Sequence, residues 1–496
     1  MTPWPLPWSM DLGETRLAIA ANVSFECADG DGCDGSACAS DIAQGAFARA
    51  AAAIAPASPP PAGAPVLAAV GVCIATASLE LGPATNESYA LEVDADGAAR
   101  VRAASVFGAL HALETLAQLV DDDDEAGGAI SNAPVAIDDR PRFGYRGLLI
   151  DTGRHFLPVA FIKRVIDGLH ASKLNLLHWH LVDSQSFPCG SDTFPELAAA
   201  GAFAPAAAYA PDDLREIVAY ARARGVRVMP EWDVPGHGSW GFGKPEVMGC
   251  DDVLDPTQDA TYDFLNAFFG EMMTIFPDEY VFLGGDEVDH TCWDANPAIA
   301  AWLAARNMTS AELEQYFWRQ VTARVLPASL AGRTVSIWEA DALQVDPAAL
   351  PAGTVANVYQ SLATADATIA NYSMPTVVSI ADSNWYLDLQ CDGYNWNSWQ
   401  CRYAVEPTTD VTARPALRPL LLGGEAAMWG EGINKRNFDA YVWHGAAAIA
   451  ERLWSDPAQT TDLDAARDRL AEHMCRYAAR GFNPGPVYPG YCAADL

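Results

Sequence analysis

Positive charge is what this chain has least of. Its 30 Lys and Arg face 64 Asp and Glu, which gives a formal net charge of −34 and a pI near 4.4. At neutral pH such a surface repels polyanions, which excludes nucleic acid and anionic membrane surfaces as natural partners. Uninterrupted apolar runs are missing as well. The one long uncharged stretch, residues 50–79, carries Pro56, Pro59, Pro60, Pro61 and Pro65. Prolines at that density break a helix, so the stretch reads as an Ala/Pro loop and no membrane span is expected. Nor do the eleven cysteines include a Cys-x-x-Cys pair, which argues against a tight zinc cluster.

Half of the residues are hydrophobic and 19% are charged, the balance of a packed protein and not of a disordered one. A length of 496 residues exceeds one average domain and predicts a barrel-sized unit with a smaller companion. Much of the negative charge titrates away as pH falls toward carboxylate values of about 4, which suits an acidic or extracellular setting. The cysteines, with sequons at Asn22, Asn86, Asn307 and Asn371, favour the secretory pathway. Cys391 with Cys401 and Cys475 with Cys492 would enclose short loops, and the odd cysteine count leaves at least one unpaired or pairing elsewhere. The opening MTPWPLPWSMD has neither a basic start nor a sustained apolar core, so no signal peptide is read there and a targeting segment is expected to be removed or missing.

Residues 1–140 read as a small α/β N-terminal domain. It has an apolar segment at 15–25, a helix near 41–53, a strand near 89–93, and a helix at 104–120 with Val106, Leu110, Leu113, Leu116 and Leu119 or Val120 at helical spacing. The acidic run 121–125 reads as a solvated linker in preference to a calcium loop, because spaced ligands and the turn glycine are lacking. From Arg146 onward, eight strand-like runs follow, at 148–151, 174–181, 226–231, 280–284, 334–338, 354–359, 376–381 and 420–424. Amphipathic stretches such as 158–172, 211–224, 262–276 and 312–325 lie between them. This alternation predicts a (β/α)8 TIM barrel over 141–496, with the active site at the C-terminal ends of its strands.

The stretch YVFLGGDEVD, residues 280–289, delivers Asp286 and Glu287 at such a strand end after two turn-forming glycines. Adjacent carboxylates repel, and partial burial separates their pKa values, so one can donate a proton while the other stays charged. A solvated loop is the plainer alternative. The other strand ends bear on the choice. They offer Arg154 and His155, Asp183, Asp233 and His237, Trp338 and Glu339, Tyr359, Trp385 with Tyr386 and Asp388, and Trp429 with Glu431. Acids and an arginine bind hydroxyl groups, and aromatic faces stack on a pyranose ring. Together they predict a sugar site.

The segments RGLLIDTGRHFLP, KLNLLHWHLVDSQSFP, VMPEWDVPGH, LGGDEVDHTCW, NWYLD and GGEAAMWGE resemble glycoside hydrolase family 20, the β-N-acetylhexosaminidases, and the likeness spans essentially the whole chain. The resemblance implies a lysosomal or secreted exo-glycosidase acting on terminal β-linked N-acetylglucosamine or N-acetylgalactosamine of glycans or chitooligosaccharides. It implies no metal or other cofactor, a homodimer, and catalysis in which the substrate's own 2-acetamido oxygen attacks the anomeric carbon. On that resemblance Glu287 is the general acid and base, Asp286 holds the acetamido N–H, and Tyr386 bonds the acetamido oxygen. Trp338 and Trp429 wall the acetamido pocket, Arg154 and Asp183 serve the 3- and 4-hydroxyls, and Asp388 and Glu431 hold O4 and O6. His237 orients the acids. Tyr359 stands where the family often has a third tryptophan, which leaves its part in the pocket open. The resemblance further implies disulfides Cys250–Cys292, Cys475–Cys492 and Cys38–Cys73, local pairs Cys27–Cys33 and Cys391–Cys401, and a free Cys189.

Three rivals remain. His178 and His180, two apart on a strand, fit a metal-dependent hydrolase, although hydrogen bonding to carboxylates inside the barrel explains them as well. A glycan-binding protein without turnover would keep the barrel but has no need of a proton donor. An ordinary retaining β-glucosidase needs two carboxyl groups about 5 Å apart on different strands. Beside Asp388 stands Leu389, where a basic residue would favour a sulfated sugar. Neutral substrates are therefore expected to be preferred, and a higher kcat/KM for a 6-sulfated arylglycoside than for its neutral parent would refute this.

Overall fold

The computed structural model describes residues 2–492 apart from 29, 31, 57, 122–127, 251, 340–345, 382–384 and 390–398. Most of the acidic run, from 122 to 125, and Cys391 lie outside the described residues. Ahead of the barrel, strands β1 (Ser9–Cys27), β2 (Val66–Ile74), β3 (Tyr89–Val93), β4 (Ala98–Ala103), β5 (Val120–Asp121) and β6 (Ala129–Asp139) form a mixed sheet in the order β1-β2-β4-β3-β6-β5. Helices Asp41–Ala53 and Val106–Leu119 share its core. Ser40 and Ser105 start them, each accepting a backbone N–H three residues on, at 3.3 and 3.2 Å. Strand β3 alternates buried Tyr89, Leu91 and Val93 with more exposed neighbours, the two-residue period of a sheet with one face covered.

Two expectations need correction here. Strand β2 lies inside the stretch read as an Ala/Pro loop. The prolines end at Pro65, and VLAAVGVCI after it is an apolar strand that the alanine-rich surroundings hid. The N-terminal disulfides are Cys27–Cys38 and Cys33–Cys73, in place of Cys38–Cys73 and Cys27–Cys33. Side chains alternate along β2, so Val72 and Ile74 face the core that holds Cys38 while Cys73 faces the other way and meets Cys33. Cys250–Cys292 and Cys475–Cys492 are bonded as expected, and Cys189 is free and buried.

Among the described residues the second sheet closes into a parallel barrel of eight strands. They are β7 (Tyr145–Asp151), β8 (Leu176–His180), β9 (Arg227–Glu231), β10 (Tyr280–Phe282), β11 (Thr334–Trp338), β12 (Val355–Val358), β13 (Thr376–Val378) and β14 (Leu421–Met428), with β14 pairing back onto β7. These are the runs read from sequence, with ends moved by a few residues. No described helix is long and apolar enough to cross a membrane.

The N-terminal sheet is tied to the start of β7 and β8 by buried charge. Glu87 pairs with Arg146 at 2.8 Å, faces His111 at 2.9 Å and accepts from Asn175 at 3.1 Å, while Lys173 pairs with Asp139 at 2.8 Å. Burial alone would raise the Glu87 pKa, but Arg146 and His111 outweigh it and hold it at about 2, against an ordinary 4.5. A carboxylate depressed in the folded state contributes stability that is complete above its unfolded value and is lost as pH falls through the folded one. Glu87→Gln is therefore expected to cost about 3 kcal/mol at pH 7, with the gap to the parent closing between about pH 4.5 and pH 2 in denaturant titrations.

Candidate active site

Every barrel strand sends a side chain into one cavity of about 290 Å³ at the strands' C-terminal ends. Arg154 follows β7, Asp183 follows β8, and His237 follows β9. Asp286 and Glu287 follow β10, Trp338 ends β11, and Tyr359 follows β12. Tyr386, Asp388 and Leu389 come after β13, and Trp429 and Glu431 after β14. All eleven site residues named from sequence are thus brought together. Asp233 and His180 line the cavity too and were not among those eleven, although both stand inside the quoted segments and Asp233 lies just past the end of β9. Three other strand-end residues do not line it. Trp385 is wholly buried and donates to the Arg402 carbonyl at 3.1 Å, His155 bonds the Gly430 carbonyl, and Glu339 accepts the Tyr359 N–H at 2.7 Å.

The turn after β10 is fixed on both sides. Val234 donates to the Leu283 carbonyl at 3.0 Å, and Trp338 to that of Gly284 at 3.0 Å. Gly284 and Gly285 adopt φ of +66° and +89°, and Glu287 follows at +52°, as does His237 at +53°. For a non-glycine residue that left-handed conformation costs on the order of 1 kcal/mol and persists where surroundings over-determine it. It separates the two acids. The Glu287 side chain is 70% exposed at the rim, whereas Asp286 turns inward and its Oδ1 is buried without a hydrogen-bond partner among the described residues. Burial raises the Asp286 pKa to about 6, against the opposing pull of His237.

A chain of acids and imidazoles runs down from that rim. His237 lies 3.5 Å from Glu287 and 3.3 Å from Asp183. Asp183 takes His180 Nε2 at 2.8 Å, and His180 Nδ1 meets Glu231 at 2.7 Å. Glu231 also faces His178 at 3.0 Å, whose Nδ1 lies 2.9 Å from Glu425. Hydrogen bonding to Asp183, and the charge of Asp286 against the effect of burial, lift His237 to about 9. Burial would lower His178, but Glu425 and Glu231 carry it up to about 9. His180 is raised in the same way by Glu231 and Asp233. Burial would raise Asp183, but His180, His237 and Arg154 hold it well below the usual carboxylate range. Asp233 goes the other way, driven well up by burial and by Glu231.

His180, Glu231 and Asp233 bring donor atoms within 4.8 Å of one another. His180 gives both ring nitrogens to carboxylates, Glu231 and Asp183, and His178 meets Glu425 through Nδ1. The hydrogen-bonded alternative for this pair is the one the geometry supports.

Arg154 is held at 3.1 Å by Asp151, 2.8 Å by Asp183 and 3.3 Å by Glu431, with its guanidinium 5.2 Å from the Trp429 ring centre. Trp338 donates to Glu231 at 2.9 Å and packs at 5.7 Å from Trp429 and edge-on at 5.9 Å from Tyr359. Tyr386 lies 5.9 Å from Trp429, its backbone bridged to Ala427 of β14. The four rings form a cage beside Asp286, with Asp388 at its edge, where burial pushes that carboxyl up to about 6.

A closed parallel barrel whose strand ends gather separated acids, a clamped guanidinium and an aromatic cage belongs to the class of carbohydrate-processing barrels. The family model described as glycosyl hydrolase family 20, catalytic domain, matches residues 143–457, and one described as beta-acetyl hexosaminidase like matches residues 3–119. This chain belongs to glycosyl hydrolase family 20. A beta-hexosaminidase subunit beta of Mus musculus is 39% identical over 432 residues, 82% of this chain and 76% of that one. The beta-hexosaminidase subunit A1 of Dictyostelium discoideum is 37% identical over 434 residues, 84% of this chain and 77% of that one. Among solved structures, a chitobiase of Flavobacterium johnsoniae aligns with a TM-score of 0.82 at 28% identity, covering 97% of this chain and 73% of its own.

A Cβ on Gly284 would lie 2.1 Å from Asp233 Oδ1. Gly284→Ala should therefore lose about 1–3 kcal/mol of stability and at least about tenfold in kcat/KM, read from thermal melts and arylglycoside turnover; full retention of both would show that this turn tolerates a side chain.

Proposed function

We propose that this chain is an exo-acting, retaining β-N-acetylhexosaminidase that removes terminal non-reducing GlcNAc or GalNAc by substrate-assisted catalysis. The observation that carries the reading is the division of labour between adjacent acids, with Asp286 turned inward, its Oδ1 buried beside the aromatic cage, and Glu287 exposed at the rim. In the first step Glu287 protonates the glycosidic oxygen while the substrate's acetamido oxygen bonds to the anomeric carbon and the aglycone leaves. Asp286 accepts the acetamido N–H and balances the positive charge of the oxazolinium, and that charge in turn favours its ionised form. Tyr386 donates to the acetamido oxygen, and Trp338, Tyr359 and Trp429 hold the group bent beneath the ring. In the second step Glu287 removes a proton from water, which opens the oxazolinium with net retention.

Arg154, clamped by three carboxylates, is placed to donate to ring hydroxyls, with Asp183 behind it; Asp388 and Glu431 are placed to bind O4 and O6. His237 orients Glu287 from Asp183. We also assign residues 1–140 to the N-terminal domain and 141–496 to the catalytic barrel, and expect a homodimer in a lysosomal or extracellular setting. Disulfides among the described residues support a secretory route.

Release of nitrophenol from an aryl N-acetyl-β-glucosaminide, set against the matched β-glucoside, tests the reading. The acetamido substrate alone should turn over, and Glu287→Gln should lose at least about a hundredfold in kcat. Equal turnover of both substrates would replace this mechanism with that of an ordinary glucosidase, and turnover of neither would leave a glycan-binding protein.

A further inference from the structure

A second cavity, of about 320 Å³, lies where the N-terminal sheet's helices meet the barrel's outer helices. Helices Asp41–Ala53 and Val106–Leu119 wall one side; helix Val159–Ala171, Arg224 and the residues just past helix Leu463–Ala479 close the other. It shares no lining residue with the catalytic cavity.

Its charge is opposite to that of the chain. Arg49, Arg164, Arg224 and Arg480 line it against only Glu114 and Asp167, in a protein of net charge −34. Three of these guanidiniums are matched: Arg224 by Asp167, Arg480 by Glu114 at 2.8 Å, and Arg164 by Asp439 at 2.8 Å. Arg49 is not. Among the described residues it makes no ion pair and gives one N–H to the Ala223 carbonyl at 2.9 Å. Burial, then the like charge of Arg224, push its pKa down against the opposing pull of Asp167, which is spent in its ion pair with Arg224. His170, on the same cavity, is kept neutral by burial and by nearby cationic groups and His111, and its Nδ1 is buried without a partner among the described residues. Leaving such an atom unsatisfied costs about 1–3 kcal/mol. The rest of the wall is apolar, chiefly Leu110, Leu113 and Phe482.

We propose that this cavity binds a small organic carboxylate, whose anionic head pairs with Arg49 and accepts the Nδ1–H of His170 while its apolar body lies against Leu110, Leu113 and Phe482. The volume, at the low end of ligand pockets, suits a short-chain or single-ring acid. Because the walls come from both sheets' helices, occupancy stabilises the joint between them in proportion to ligand concentration.

Calorimetric titration of the intact protein with sodium hexanoate tests this, with sodium phosphate and hexanol as the head and the body alone. Hexanoate should bind saturably with Kd below about 1 mM and raise the thermal midpoint. Arg49→Gln should weaken it at least about tenfold and Arg49→Lys less, with arylglycoside turnover unchanged in both. Should Arg49→Gln fail to fold, His170→Phe, which removes the Nδ1 donor, should also weaken binding. Absence of saturable binding, or equal affinity in these variants, would overturn the site; phosphate or hexanol binding as tightly as hexanoate would overturn its amphipathic character.

Discussion

Glu231 ends strand β9 with its side chain wholly buried, and what it holds decides the shape of the catalytic mouth. One oxygen meets both His178 and His180, and the other accepts the Trp338 indole N–H. A buried carboxylate costs several kcal/mol unless matched by charge, and the two imidazoles beneath it, both raised by the acids around them, supply that charge. Asp183, held below the usual carboxylate range, supports His180 in turn. From there the constraint runs outward. Asp183 fixes Arg154 and His237, His237 reaches Glu287, and Trp338 anchors the aromatic cage. Groups that line the cavity thus take their places from a buried alternation of charge.

The opposite end of the barrel uses the same physics for a different purpose. Arg146 opens β7 and Lys173 precedes β8, both with fully buried side chains, and both are neutralised by acids of the N-terminal unit, Glu87 and Asp139. Neither unit could bury its half alone without an unpaired charge. In a (β/α)8 barrel the strand N-termini carry stability and the C-termini carry chemistry, and here the division is written in which end meets the small sheet.

Much of this was legible in the sequence because the barrel's signal is local. Each strand is a short apolar run followed by a polar or aromatic residue, so most residues named at the strand ends stand on the cavity wall. What escaped depended on pairing. Strand β2 hid in alanine-rich sequence because nothing local marks it apart from its partner β1. The N-terminal disulfides turned on which face of β2 Cys73 takes, a matter of register and not of spacing. Trp385, read as part of the mouth, packs beneath it, since a tryptophan near a strand end looks the same in sequence whether it faces ligand or core. Asp233 was named at a strand end but given no role, because its distinguishing property, a pKa driven up by burial and by Glu231, shows only in the fold.

That upward shift bears on the chemistry. A conventional retaining glycosidase would need an ionised nucleophile on a strand other than the one that bears the acid. Asp233, on the strand adjacent to β10 and lining the same cavity, is the carboxyl group nearest to that description. Burial and Glu231 drive its pKa well up, which favours the neutral acid, a poor nucleophile. Asp183 is ionised but its oxygens are committed to His180, His237 and Arg154. The proposed step, in which the substrate itself carries the attacking oxygen, fits a cavity of this charge, with Tyr386 as the donor to that oxygen and Asp286 as the acceptor of the acetamido N–H.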